Sequence, residues 1–321
     1  MGNSAILFAA RRIRFLRGDF DKLSRRVSFC RSLFFPFDFR YSSAMSFLVF
    51  DDVTFAYPPV EGDLDGNGEQ VAGAAVFEHF SAELPGGFVS LVGQNGCGKS
   101  TLMLLASGRL SPCGGAVSLL GQNPAALDDE RKNLLASVIY QNMEFETDDK
   151  AGELLSFVYR NGALGGSARA VRSDADLLSE VVDVFELSGV MERPLTKLSK
   201  GEIQRVLLAF GVLYGSRSLF MDEPLFALEP RQKEAALAYL KEFVRVTGRT
   251  VYISMHELDL TKKYADTVLL FYPNRDMALG TPEEVLTRDE VEKAYGVPYA
   301  MLKDHENLSR EYLNSLSRAG E

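Results

Sequence analysis

The stretch GQNGCGKSTLMLLASG, from Gly93 to Gly108, restricts this chain more than any other part of it. It fits the pattern G-x-x-x-x-G-K-[ST] at Gly93, Gly98, Lys99 and Ser100. Glycines at those places let the backbone turn until successive N–H groups face inward, toward anionic oxygens. On that reading Lys99 reaches the outer phosphates of a nucleotide and the Ser100 hydroxyl holds Mg²⁺, with Asn95, Gly96 and Thr101 in the same cradle. The flanks agree: GFVSLV before the loop reads as a buried strand, and TLMLLASGRL after it has helical spacing. A helix N-terminus therefore lies beneath the phosphates. Many unrelated proteins hold phosphate in this way, so the loop fixes a core architecture and leaves the use of the nucleotide open. Cys97 occupies a free position of the pattern and takes no chemistry from it.

The 321 residues are 46% hydrophobic and 25% charged, enough for a sizeable core in one domain or a domain with a subdomain. No run approaches the roughly 18 uninterrupted apolar residues of a membrane span. Three cysteines, Cys30, Cys97 and Cys113, show no ligand spacing and fit a reducing compartment. The net charge of −9 is unevenly spread. Residues 1–44 carry nine Arg/Lys against Asp19, Asp21 and Asp38, a net of +6, which leaves the body at −15. An acidic body argues against nucleic acid as the main partner. The basic first 44 residues read as a disordered arm or as sequence upstream of a true start at Met45; their Arg- and Ser-rich look also fits a transit peptide or a membrane-surface arm.

Along the body, 46–57 and 75–84 read as strands of a long hairpin around a Pro/Gly/acid-rich loop at 58–74. Asp63, Asp65, Asn67 and Gly68 in that loop match the opening of a calcium-binding EF-hand loop. Ala74 stands where the bidentate Glu belongs, so the match is read as chance. Strands are expected at 115–121 and 136–141. A helical stretch is expected over 150–195, interrupted at 161–170. From 200 onward helix and strand alternate, the pattern of a mainly parallel sheet with helices on both faces.

Further residues fall at the ends of these elements. SLFMDEP, 218–224, closes a buried strand with Asp222 and Glu223. At the carboxyl end of a parallel strand, Asp222 can hold the Mg²⁺ shell and Glu223 can act as general base on an attacking water. LSKGEIQRV, 198–206, places Ser199 and Gly201 at the start of a helix, another anion-favouring position. His256 closes the strand YISMH and can contact a γ-phosphate. Gln141 stands at a strand end, and Tyr57 closes the first strand as an aromatic able to stack on a base. Each of these taken alone has an ordinary structural reading.

In this order and spacing they resemble the ATP-binding-cassette (ABC) ATPases over essentially all of 45–300. Residues 93–101 match the Walker A loop, 198–202 the family signature, and 218–223 Walker B. Tyr57 matches the adenine-stacking aromatic, Gln141 the Q-loop glutamine and His256 the switch histidine. Two departures stand out. The signature, usually LSGGQ, reads Leu198-Ser199-Lys200-Gly201-Glu202, and the usual Ala-Leu-Asp turn after Walker B reads Ala227-Leu228-Glu229.

The resemblance implies a P-loop NTPase core of the α/β class with a mainly parallel sheet, an antiparallel β subdomain and an inserted α-helical subdomain near 150–195. A C-terminal tail follows from 301. It implies ATP and Mg²⁺ as ligands, with Lys99, Gln141, Glu223 and His256 in hydrolysis and Ser100, Gln141 and Asp222 around the metal. Ser199 and Gly201 would touch the ATP of a partner subunit in a head-to-tail dimer. A second ABC ATPase subunit, as a homodimer, and transmembrane permease subunits are the implied partners, with a substrate-binding protein for an importer. The implied location is the cytoplasmic face of the cell membrane. Non-transport members, acting in DNA repair or translation, usually carry two cassettes, a coiled coil or a basic face; this chain has one set of motifs and an acidic body. The segment YADTVLLFY…ALGTPEEVLTRDEVEKAYGVPY, 264–299, resembles the tail of importers of iron–siderophore, haem and cobalamin complexes.

Overall fold

The computed structural model describes residues 13–15, 46–58, 75–141, 143–166, 168–173 and 175–302. The basic segment 1–44 apart from 13–15, the EF-hand-like stretch and most of the tail after 300 lie outside the described residues.

Strict alternation of side chains builds the center of the molecule. In β4 (Phe88–Val92), β8 (Ser218–Met221), β9 (Thr250–Ser254) and β10 (Thr267–Phe271), nearly every residue is buried. Val89, Leu91, Phe220, Tyr252, Leu269 and Phe271 face one core, while Phe88, Leu219, Met221, Val251, Ile253, Val268 and Leu270 face a second. Only a sheet covered on both faces buries both sets, which is why these strands read as near-continuous apolar runs. With β6 (Ala136–Ile139) and β11 (Met277–Gly280), they form a six-stranded sheet in the order β11-β10-β4-β9-β8-β6. All its neighbors pair parallel except β10 and β11, which pair antiparallel.

The first core lies between this sheet, helix α1 (Lys99–Ala106) and a three-stranded antiparallel sheet of order β3-β2-β5. Its strands are β2 (Leu48–Ala56), β3 (Ala75–Leu84) and β5 (Gly114–Leu119). A short helix α2 (Asp129–Leu135) leads into β6. The second core is covered by α5 (Lys200–Tyr214), α6 (Pro230–Thr247) and the short α7 (Leu258–Tyr264). Two further helices, α3 (Ala151–Asn161) and α4 (Leu177–Val184), pack on α5 as the expected insert, broken between them by a Gly-containing turn. The break is held by Glu180 of α4. Its carboxylate accepts from the N–H groups of Val171 and Arg172 at 2.7 and 2.8 Å and from Tyr239 Oη of α6 at 2.9 Å. A two-stranded pair, β1 (Ile13–Phe15) with β7 (Met143–Phe145), and the C-terminal α8 (Pro282–Val285) and α9 (Arg288–Tyr295) complete the strands and α-helices among the described residues.

Among the differences from the sequence reading, three stand out. The strand expected at 115–121 stops at Leu119, because Leu120 and Gly121 turn with φ of 52° and 75°. The strand expected at 136–141 ends at Ile139, so Gln141 stands two residues beyond it, in the turn. The antiparallel edge strand β11 has only four residues and no apolar alternation to announce it.

Candidate active site

Parallel strands deliver their following residues to one edge of the sheet. Here the carboxyl ends of β4, β8, β9 and β6 bring together the phosphate loop, the pair Asp222–Glu223, His256 and Gln141. The loop itself turns through Gly93, Gly96 and Gly98, with φ of 151°, 81° and 105°. At Gly93 a Cβ would stand 2.9 Å from the Cβ of Phe271 and 3.0 Å from its carbonyl oxygen, so glycine is required by space as well as by torsion. Lys99, the first residue of α1, is buried, and its Nζ donates to the carbonyls of Gly93 and Gln94, each at 2.8 Å. The ammonium is thus held inside the arc of its own loop, pointing where a phosphate oxygen would enter. Cys97 lines the same arc with Sγ 3.9 Å from Nζ; burial pushes its thiol up, more strongly than the nearby Lys99 charge pulls it down.

The next residue in the helix ties the loop to β8. Ser100 Oγ donates to Asp222 Oδ2, and Ser254 Oγ donates to Asp222 Oδ1 at 2.8 Å. Ser254 also accepts from the Glu223 N–H at 2.8 Å. One serine at the end of β9 thereby fixes both acidic residues. Sequence reasoning passed over it, since a serine in a buried strand carries no motif. Glu223 adopts a left-handed backbone, φ 48°, in the turn that follows β8. Each carboxylate oxygen then finds a partner: Oε2 accepts from Gln141 Nε2 at 2.5 Å, and Oε1 lies 2.6 Å from His256 Nε2. Burial pushes the Glu223 carboxyl up. The His256 hydrogen bond and charge, the Lys99 charge and the Gln141 donor outweigh it, and the group stays ionized below the usual carboxylate range. Gln141 is itself steadied from the signature helix, where Gln204 Nε2 of α5 donates to its carbonyl at 3.3 Å.

The structure therefore brings Ser100, Gln141, Asp222, Glu223 and His256 into one hydrogen-bonded network, with the Lys99 ammonium held in the loop beside it and its charge acting on Glu223. Tyr57 stands beside it: its hydroxyl lies 3.1 Å from Thr101 Oγ1 and its ring meets Phe55 edge-on, leaving it 39% exposed at the rim. Asn95 and Gly96 form the exposed crest of the loop. Ser199 and Gly201 are not in this network. Ser199 caps α5, accepting from the Glu202 N–H at 3.3 Å while its own N–H donates to Glu202 Oε2 at 2.7 Å. Glu202, the departure from the usual signature, therefore makes a capping box, and Arg193 pairs with it at 2.5 Å. Gly201 packs so close to the turn after Glu223 that a Cβ would stand 2.9 Å from the Ala227 carbonyl oxygen.

The residues present fit Mg²⁺ and a nucleoside triphosphate by their chemistry. There is a backbone cradle with a buried ammonium, a hydroxyl and carboxylate side by side, and an ionized carboxylate next to an imidazole. A loop of this form, with a strand-end Asp–Glu pair at its side, defines a P-loop nucleoside-triphosphatase site. Comparison with known proteins narrows the class. The family described as ABC transporter matches residues 79–226. The hemin import ATP-binding protein HmuV of Rhizobium meliloti (strain 1021) is 32% identical over 236 residues, which cover 71% of this chain and 88% of that protein. The cobalamin import ATP-binding protein BtuD of Halobacterium salinarum is 28% identical over 247 residues, and the match spans 60% of that longer protein. The fold agrees with a solved ATP-binding subunit of an ABC transporter at a TM-score of 0.60 and 22% identity, covering 81% of this chain and 99% of that one. The chain belongs to the ABC transporter family. No helix among the described residues is long and apolar enough to cross a membrane.

Proposed function

We propose that this chain binds Mg²⁺·ATP at the phosphate loop and hydrolyzes it as the ATPase subunit of an ABC importer, at the cytoplasmic face of the cell membrane. The observation that carries the reading is the doubly held Glu223 carboxylate beside the phosphate loop. Lys99 binds the outer phosphates by exchanging loop carbonyls for phosphate oxygens, and the loop N–H groups orient them. Ser100 and Asp222, already in contact, would hold Mg²⁺, with Gln141 at its edge; bound there, the ion would neutralize charge on the phosphates. Glu223 takes the proton of the attacking water as its oxygen bonds to the γ-phosphorus. The bond to the bridging oxygen breaks, and its electron pair leaves with ADP. His256 and Gln141 keep the carboxylate aimed, and Tyr57 offers a face to the base.

Ser199 and Gly201 have no triphosphate of their own to meet within the chain, which supports a head-to-tail pair with a second ATPase subunit, here a second copy. The α3–α4 insert, joined to Gln141 through α5, is the surface offered to transmembrane permease subunits. The relatives named for hemin and cobalamin import favor a metal-chelate cargo delivered by a separate substrate-binding protein.

Replacing Glu223 by Gln tests the core of this reading. The amide keeps the side chain's size but cannot accept the proton, so turnover falls by about 10²–10⁴-fold. ATP affinity is kept, and size-exclusion chromatography with ATP shows a dimer. A Glu223→Gln chain that hydrolyzes ATP at the wild-type rate refutes the assignment.

A further inference from the structure

Lys233 and Glu257 form an ion pair that no step above uses. Lys233 lies in the first turn of α6, only 8% exposed, and its Nζ is bonded to Glu257 Oε1. Glu257 directly follows His256 and is the N-cap residue of α7, yet its side chain makes no capping bond; it turns instead toward Lys233. Its carbonyl holds the other side of the peptide, accepting from Thr261 N–H and Thr261 Oγ1, each at 3.0 Å. On the α6 side, the Lys233 N–H donates to the Glu229 carbonyl at 2.9 Å, and Glu229 ends the turn that begins at Glu223.

Two loops are thereby joined twice. The loop after β8 carries Glu223 at its start and Lys233 just past its end; the loop after β9 carries His256 and then Glu257. Direct contact between Glu223 and His256 closes one side of the ring at 2.6 Å, and the Lys233–Glu257 pair closes the other. His256 has a half-exposed side chain, so its own packing fixes the imidazole only in part. We propose that Lys233 is a positioning residue for hydrolysis: through Glu257 it holds the backbone of His256 so that the imidazole stays on the Glu223 carboxylate. This rests on the proposed ATPase reading and extends it to a residue outside the motifs.

Removing one partner of a buried pair strands the other charge and can destabilize a protein on that ground alone. The test therefore compares three full-length variants, Lys233→Met, Lys233→Arg and the double variant Lys233→Met/Glu257→Met, by kcat, KM for ATP and thermal midpoint. The double variant removes both charges and leaves no orphan. Lys233→Met should lower kcat about 10- to 100-fold, the size of effect that a small misplacement of a catalytic group produces, with KM for ATP unchanged. Lys233→Arg should recover most of the rate, and the double variant should regain the midpoint while staying slow. A wild-type kcat in Lys233→Met, a double variant that regains rate together with midpoint, or a rise in KM that accounts for the loss each overturns the inference. A wild-type chain that hydrolyzes no ATP, or a fully active Glu223→Gln chain, fells the ATPase reading and the inference with it.

Discussion

The two ends of this molecule proposed to meet phosphate are built on opposite plans. At the carboxyl edge of the six-stranded sheet, Ser100, Asp222, Ser254, Glu223, Gln141 and His256 bond to one another across four strands, and the Lys99 ammonium is held by its own loop carbonyls beside them. At the start of α5, Ser199 and Lys200 are exposed, and the cap draws only on Glu202 and Arg193 of the same neighborhood. On the proposed reading, the first end grips the triphosphate with residues of its own chain. The second has its cap bonds satisfied and faces outward, and on that reading it acts only when a second subunit meets it.

Separate variants at the two ends should behave differently, and the largest effect belongs to the first. Lys99→Ala removes the buried ammonium, and charge-assisted bonds of this kind contribute about 1.5–3 kcal/mol each. Affinity for ATP in a single chain should drop at least about tenfold to a hundredfold by fluorescent-nucleotide titration; unchanged affinity would mean that the loop does not bind the phosphates. Gly201→Ala sharpens the contrast. Its Cβ would press on the Ala227 carbonyl and displace the start of α5 from the turn after Glu223. Steady-state ATPase activity should fall about tenfold, the scale of a small displacement of site residues, while single-chain ATP affinity stays at the wild-type value. A parallel loss of affinity would erase the distinction between the two ends.

The smallest effect is expected from Glu202→Gln. Glutamine can still complete the capping box, so only the pairing with Arg193 is lost, and a partly exposed pair contributes about 0–1 kcal/mol. The thermal midpoint should fall by no more than about 3 °C. The pH dependence is more telling. Burial raises the Glu202 carboxyl, but the Ser199 bonds and Arg193 outweigh it and hold the folded group below its usual range. Its contribution is therefore fully present above the unfolded value of about 4.3 and is lost as pH falls through the lower folded value. The wild-type midpoint should decline over that acid window more steeply than that of Glu202→Gln; equal slopes would show that Glu202 does not act as a charge there.

The sequence was most legible where one short segment carries both a torsional and a chemical demand. The phosphate loop is such a place, since the glycines, the lysine and the flanking strand and helix all speak at once. Asp222 and Glu223 were readable because an apolar run ends on them. Ser254 and Gln204 were not, because a single hydroxyl or amide inside a regular element looks like any other until the chain brings it beside its partner. The same holds for Lys233 and Glu257, separated by 24 residues and joined only by the packing of α6 against the loop after β9. Strand β11 escaped for another reason: four residues at a sheet edge need no apolar alternation, because only pairing with β10 defines them.

The left-handed backbone of Glu223, φ 48°, has a consequence for how this site can change over generations. Glycine or asparagine would sit in that conformation with less strain than glutamate does. A glutamate that stays in this conformation gives up some backbone ease and recovers it in part through the bonds its carboxylate makes to Gln141 and His256. On the proposed reading, a lineage released from the need to hydrolyze ATP could trade those bonds for a relaxed turn, and the position would be free to drift.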